Sequence, residues 1–95
     1  MSHTTEWKVR LQLVEDGGKT EARAVLDTGT TSLTATGAAQ RAPGDEDAPE
    51  IGDEFAAGRA LRDLGSRLLQ TAERDVEARG AAPEPRTSTT YGWSM

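Results

Sequence analysis

The sequence predicts an α+β domain: a three-stranded antiparallel meander packed on one long C-terminal helix, in the order β-β-β-α. Three observations carry that expectation. Residues 6–14 alternate between apolar and polar side chains, which is the period of a half-buried strand. Two clusters, Glu15-Asp16-Gly17-Gly18 and Asp27-Thr28-Gly29-Thr30, punctuate the first half with turn residues. From Ile51 onward the apolar residues recur at helical spacing until Gly80 stops them.

In the first strand Trp7, Val9, Leu11 and Leu13 share one face, and Lys8, Arg10 and Gln12 share the other. Asp-Gly between two alternating runs is a hairpin signal, because glycine accepts the positive φ that tight hairpin turns require. The second strand spans about Lys19 to Asp27, with Ala22, Ala24 and Leu26 toward the core and Glu21, Arg23 and Val25 outside. The third continues from Thr31 to Ala39. Leu33 and Ala35 face inward, while Thr30, Ser32, Thr34 and Thr36 line the outer face; threonine suits an extended backbone through its branched Cβ.

Pro43, Gly44, Pro49 and a dense acidic run mark residues 40–50 as a loop, after which Ile51 to Arg79 reads as one helix. At 100° per residue, Ile51, Phe55, Gly58, Leu61, Gly65, Leu68, Leu69, Ala72 and Val76 share a broad apolar face. Gly58, Gly65 and Ala72 run down its centre. Glycine inside a helix costs about 1 kcal/mol relative to alanine, so an offsetting gain is expected, and close approach of this face to the small inward alanines of the sheet supplies one. Residues 1–80 thus form the domain. Residues 81–95, rich in Pro, Ser and Thr, read as a flexible tail that carries Tyr91 and Trp93.

Composition narrows the function classes. The 95 residues carry a net charge of −5 and only 35% hydrophobic residues, so the core is thin and a second copy is a natural way to enlarge it. An acidic balance argues against general nucleic-acid binding, which needs cations for phosphates. There is no cysteine, hence no disulfide, thiol nucleophile or cysteine zinc site. The N-terminus has no apolar signal region and no run spans a bilayer, so the expected location is cytoplasmic. Nine of the eleven basic residues are arginine, Ile51 is the only isoleucine, and asparagine is absent; this residue choice fits a GC-rich genome.

Val25-Leu26-Asp27-Thr28-Gly29-Thr30 resembles the catalytic loop of aspartic proteases, in which paired aspartates share a proton and activate water. Those enzymes are almost all strand, whereas this chain spends its second half on a loop and a helix, and Asp-Thr-Gly-Thr is a sound hairpin turn by itself. The acids Asp45, Glu46, Asp47, Glu50, Asp53 and Glu54 fail the calcium-loop spacing: counting from Asp45, position six is Glu50 and position twelve is Ala56. They suit the partial positive charge of a helix start instead. His3 is the single histidine and lies in the terminal segment, so it supports neither a triad nor a metal site. With no phosphate-binding glycine loop either, the expectation is a non-enzyme without cofactor, metal or small-molecule substrate. The remaining candidate surface is the outer sheet face, where Lys8, Arg10 and Arg23 lie beside the threonine row, offset by Glu6 and Glu21.

Glu6-Trp7-Lys8-Val9, Ala24-Val25-Leu26-Asp27-Thr28-Gly29-Thr30-Thr31, and Pro49-Glu50-Ile51-Gly52-Asp53-Glu54 leading into Ala57-Gly58-Arg59-Ala60-Leu61 together carry a family resemblance. Over roughly residues 1–80 the chain resembles a family of small actinobacterial proteins of unknown function with a double-stranded-RNA-binding-domain-like (dsRBD-like) fold. True members of that fold class place a lysine cluster at the start of the final helix to grip RNA phosphates. The matching positions here are Gly52, Asp53 and Glu54, a reversal of sign. A related fold occurs in ribosome hibernation factors, and the resemblance implies a general link to dormancy and stress response. Two expectations follow: a non-catalytic, homodimeric interaction protein, or alternatively a hibernation-type factor that binds the ribosome or RNA through Lys8, Arg10 and Arg23.

Overall fold

The computed structural model describes residues 2–45 and 48–80. It contains β1 (Lys8–Asp16), β2 (Lys19–Asp27), β3 (Ser32–Gln40) and α1 (Pro49–Ala78) in that order. The strands form one antiparallel sheet ordered β1-β2-β3, and α1 lies across one face of it. The predicted α+β class and strand-strand-strand-helix order are both present.

Turn chemistry sets the register. Gly17 and Gly18 both take positive φ, 61° and 84°, as a two-residue hairpin of matching twist demands. Asp16 is thereby paired with Lys19, and Leu13, Leu11 and Val9 with Ala22, Ala24 and Leu26. At the second turn Asp27 accepts a hydrogen bond from the Gly29 amide through Oδ1 at 2.9 Å, and Thr28 Oγ1 accepts one from the Thr31 amide at 3.1 Å. The Asp-Thr-Gly-Thr motif therefore builds its own loop, with the Asp27 carboxylate engaged in local turn geometry. Beyond the loop Leu26 pairs with Leu33, Ala24 with Ala35, Ala22 with Gly37 and Thr20 with Ala39.

Pro49 occupies the first turn of α1, where its missing N–H breaks no hydrogen bond, and Glu50 adds a negative charge at the same end. Ala48, at the N-cap position, offers no capping side chain. At the other end the Arg79 amide donates to the carbonyls of Asp75 and Val76, and the Gly80 amide to that of Glu77. The helix begins at Pro49 and ends at Ala78, close to the expected span.

The buried core consists of Ala22, Ala24, Leu26, Ala35, Ala56, Ala60 and Leu64, with Leu11, Leu33, Ala39 and Leu68 packed partly against it. Two expectations require correction here. The helix does not bury the broad face centred on Gly58 and Gly65. It buries the stripe Ala56-Ala60-Leu64, and leaves Ile51, Phe55, Leu61 and Leu69 exposed. Among the described residues, a Cβ added at Gly58 or Gly65 would meet nothing within 4 Å.

Close helix–sheet packing does occur, but a different glycine makes it. A Cβ on Gly37 of β3 would fall 2.4 Å from the Ala60 amide nitrogen and 2.6 Å from the Ala56 carbonyl oxygen. Backbone meets backbone there, so only alanines on the helix and glycine on the strand fit. The stripe carrying Ile51, Phe55, Leu61 and Leu69 is turned away from this contact.

The second correction concerns β1. Trp7, Val9 and Leu13 lie on the helix-facing side of the sheet by alternation, yet are 47%, 50% and 37% exposed. α1 packs over β3 and β2 and scarcely touches β1. A helix about 10 Å wide that is centred toward β3 runs out of cover before it reaches the outer strand β1.

Candidate interaction surfaces

Two surfaces remain once the core is accounted for, one polar and one apolar. The polar one is the outer face of the sheet. Alternation puts Lys8, Arg10, Gln12 and Val14 of β1 on it, beside Asp27, Val25, Arg23 and Glu21 of β2 and Ser32, Thr34, Thr36 and Ala38 of β3. Arg10 stands opposite Val25 and Arg23 opposite Gln12, so the two guanidinium groups sit on a ladder diagonal. Such diagonals separate Cβ atoms by roughly 7–8 Å, within reach of side chains this long. Lys8 stands opposite Asp27, which offsets its charge.

All three predicted cations are exposed, and none makes an ion pair among the described residues. A salt bridge between Lys19 and Glu21 at 3.4 Å occupies the far end of the same face. The twisted sheet forms two open hollows there. One, of about 520 Å³, includes Lys8 and Arg10 with Asp27 and Ser32. The other, of about 490 Å³, includes Arg23 with Gln12, Val14, Glu21 and Thr36. The structure thus brings the three cations to one face but divides them between two hollows, with the Asp27 and Glu21 carboxylates interleaved. Glu21 lies on this face, paired with Lys19. Glu6, beside the strand start, is exposed.

The apolar surface was not legible as such. Trp7, Val9 and Leu13 form an uncovered row on the inner side of β1, and Ile51, Phe55, Leu61 and Leu69 form a second row along α1. Among the described residues, Val14, on the outer face, completes the set of exposed large hydrophobic residues. The strand edges differ in the same sense. Arg59 of α1 donates from Nη1 to the Ala38 carbonyl of β3 at 2.7 Å, with its guanidinium 5.2 Å from the Phe55 ring centroid. That contact occupies part of the β3 edge; no described side chain makes a hydrogen bond to the backbone of β1 between Lys8 and Val14.

A third feature is a hollow of about 310 Å³ at the start of α1, bounded by Thr20, Ala39, Arg41, Gly52, Ile51 and Phe55 among others. Thr20 is buried beneath it, and a Cβ on Gly52 would lie 2.9 Å from Thr20 Oγ1. Arg41 and Asp45 are engaged locally: Arg41 donates to the Asp45 carbonyl and the Ala42 amide to Asp45 Oδ2. Among the described residues no cluster of three histidine, cysteine or acidic side chains is placed to hold a metal ion. Among the described residues no helix is long and apolar enough to cross a membrane. Glu46, Asp47 and the segment with Tyr91 and Trp93 lie outside the described residues.

Comparison with known proteins places the same architecture in a group. The Rv2632c-like family model matches residues 5–85, which spans all three strands and the helix. This chain belongs to the Rv2632c-like family. It is 42% identical over 72 residues to the uncharacterized protein Mb1767 of Mycobacterium bovis, covering 76% of this chain and 77% of that protein. It is 34% identical over 71 residues to the uncharacterized protein Rv2632c of Mycobacterium tuberculosis, covering 75% of this chain and 76% of that one. The crystal structure of Rv2632c superposes with a TM-score of 0.76 at 30% identity, over 86% of this chain and 98% of that chain. The expected kinship to actinobacterial proteins of unknown function is therefore present at the level of family and fold.

Proposed function

We infer that this chain is a non-catalytic interaction protein whose working form is a homodimer. One observation carries the reading: its buried core holds five alanines and two leucines, while Trp7, Val9, Leu13, Ile51, Phe55, Leu61 and Leu69 all remain exposed. A protein of this size ordinarily buries its largest apolar side chains first, because each contributes roughly 1.5–3 kcal/mol on leaving water. Contiguous apolar surface left outside marks an association site. The Asp27 carboxylate spent on its own turn supports the absence of protease chemistry, as does the lack of a nucleophile–base pair in the sequence. A role in stress or dormancy, and a dsRBD-like grouping, rest on the β-β-β-α order and the family resemblance alone.

Light scattering coupled to size exclusion tests the reading. The expected result is a mass near 20 kDa, twice the 10.1 kDa chain. A 10 kDa species at several hundred micromolar would overturn it.

A second reading is favoured by one observation, the gathering of Lys8, Arg10 and Arg23 on an open face with no ion pair among the described residues. It is a ribosome- or RNA-binding role exerted through phosphate contacts. Co-sedimentation with ribosomes across a salt series tests it. Binding that weakens with salt and is lost in the triple Lys8→Glu, Arg10→Glu, Arg23→Glu variant supports the role; salt-insensitive binding, or none, removes it.

A further inference from the structure

The two exposed apolar rows are complementary in form, and this fixes how two copies meet. The row on α1 comprises Ile51, Phe55, Leu61 and Leu69, interrupted by Gly58, Gly65 and Ala72 on the same side of the helix. At 100° per residue this side is turned away from Ala56, Ala60 and Leu64, which face the chain's own sheet. No described residue lies within 4 Å of a side chain added at Gly58 or Gly65, so these two helix-weakening glycines bring no packing gain among the described residues. The row on β1 is the opposite in relief: Trp7, Val9 and Leu13, all bulky and standing on a floor that α1 leaves bare.

We propose that each helix lays its glycine-lined apolar side onto the bare inner face of β1 in a second copy of this chain, reciprocally. This rests on the homodimer reading and names its surface. The arrangement is a three-layer sandwich, with a sheet on each outside and both helices side by side between them. Each helix then packs on its own β2 and β3 through Ala56, Ala60 and Leu64, and on the partner's β1 through the opposite side. Arg59 binds the β3 backbone, so the flank of α1 opposite to it, with Leu61 and Leu68, looks along the sheet toward β1 and meets the second helix.

Three further facts fit this occupant. Among the described residues, seven of the eight exposed large hydrophobic side chains fall in the two rows, and a reciprocal contact covers all seven at once. Their exposed area comes to roughly 700 Å² per copy, on the order of 1,400 Å² for the pair, inside the ~1,200–2,000 Å² of stable interfaces. Arg62, within the helix row, is a cation that Glu15, the carboxylate ending the inner row of β1, can meet; Glu54 and Glu73 lie on the same side of the helix, and neither Arg62 nor Glu15 is in an ion pair among the described residues.

The glycines supply the test, because the monomer and the dimer respond to them in opposite directions. Gly58→Leu and Gly65→Leu add bulk where the single chain has open space and replace a poor helix former with a good one. The folded monomer should therefore keep its circular dichroism and melt no lower. Across the interface the same leucines hold helix and partner strand apart. Analytical ultracentrifugation of the full chain should show the dimer dissociation constant raised by at least about tenfold in either variant. Val9→Lys and Leu13→Lys should do the same, and Val14→Lys, on the outer face, should not.

A dimer of unchanged affinity in the glycine variants overturns this geometry and leaves the homodimer reading standing. A dimer broken by Val14→Lys and untouched by Val9→Lys overturns it in favour of association through the outer face. A chain that is monomeric at several hundred micromolar overturns both the geometry and the reading beneath it.

Discussion

The half of the sheet under the helix and the half beside it are built from the same alternating pattern, and they end in opposite environments. On β2, Ala22, Ala24 and Leu26 are at most 3% exposed; on β1 their direct partners Leu13, Leu11 and Val9 are half-buried or exposed. Two of the three covered residues are alanines, and their partners on β1 are leucines. The inversion follows from distance. Gly37, Ala56 and Ala60 let the helix backbone settle onto the β3 side, and settling there draws it away from β1. A well-packed half and an unfinished half are products of one contact.

The sharpest way to break that contrast is at Gly37. Gly37→Val introduces a good strand former, so any loss must come from packing against the Ala60 and Ala56 backbone. Stability should fall by about 3 kcal/mol, the upper end of overpacking costs, as read by urea denaturation. An unchanged midpoint would mean that helix and strand do not approach as described.

Next in size is a paired comparison across the ladder. Leu26→Ala should cost about 2–4 kcal/mol, as core truncations do, while its β1 partner Val9→Ala should cost less than about 1 kcal/mol. The gap is to be measured at concentrations where scattering reports the monomer. At dimer concentrations the Val9 variant should lose apparent stability as well, because association contributes there.

Arg59→Ala tests what secures the covered edge. It removes a 2.7 Å hydrogen bond to the Ala38 carbonyl and the stack on Phe55, for an expected loss of about 1 kcal/mol. Faster amide exchange should then appear along β3 and not along β1. The smallest effect carries a change of sign: Gly65→Ala should stabilise the dilute monomer by up to about 1 kcal/mol, since its added methyl meets open space. A destabilised monomer would show that this side of the helix is already packed within one chain.

Much of this was legible in the residues. Period-two alternation and the Asp16-Gly17-Gly18 turn determine the β1–β2 register, and Leu33 and Ala35 continue it into β3. Hydrophobic strength was a poor guide to the helix. The broad stripe through Ile51, Phe55 and Leu61 is the more apolar one, yet the sheet receives the narrower stripe of alanines. Part of the signal is steric: Gly37 falls on the inward side of β3, and Ala56 and Ala60 are small enough to meet a bare backbone, but Gly58 and Gly65 are smaller still, so size alone does not pick the face. Lys8, Arg10 and Arg23 were assigned to the outer face by alternation and lie there, but their interleaving with Asp27 and Glu21 depends on cross-strand register, which a single strand cannot show.

The sequence by itself determined the elements, their order, the faces of each strand and the turn that absorbs the Asp27 motif, because these depend on local backbone preference and short periodicities. Which face of α1 meets the sheet, and that β1 is left bare, only the tertiary structure decided. Those outcomes depend on how closely two backbones approach, a distance governed by Gly37 and two alanines rather than by the most hydrophobic residues in the chain.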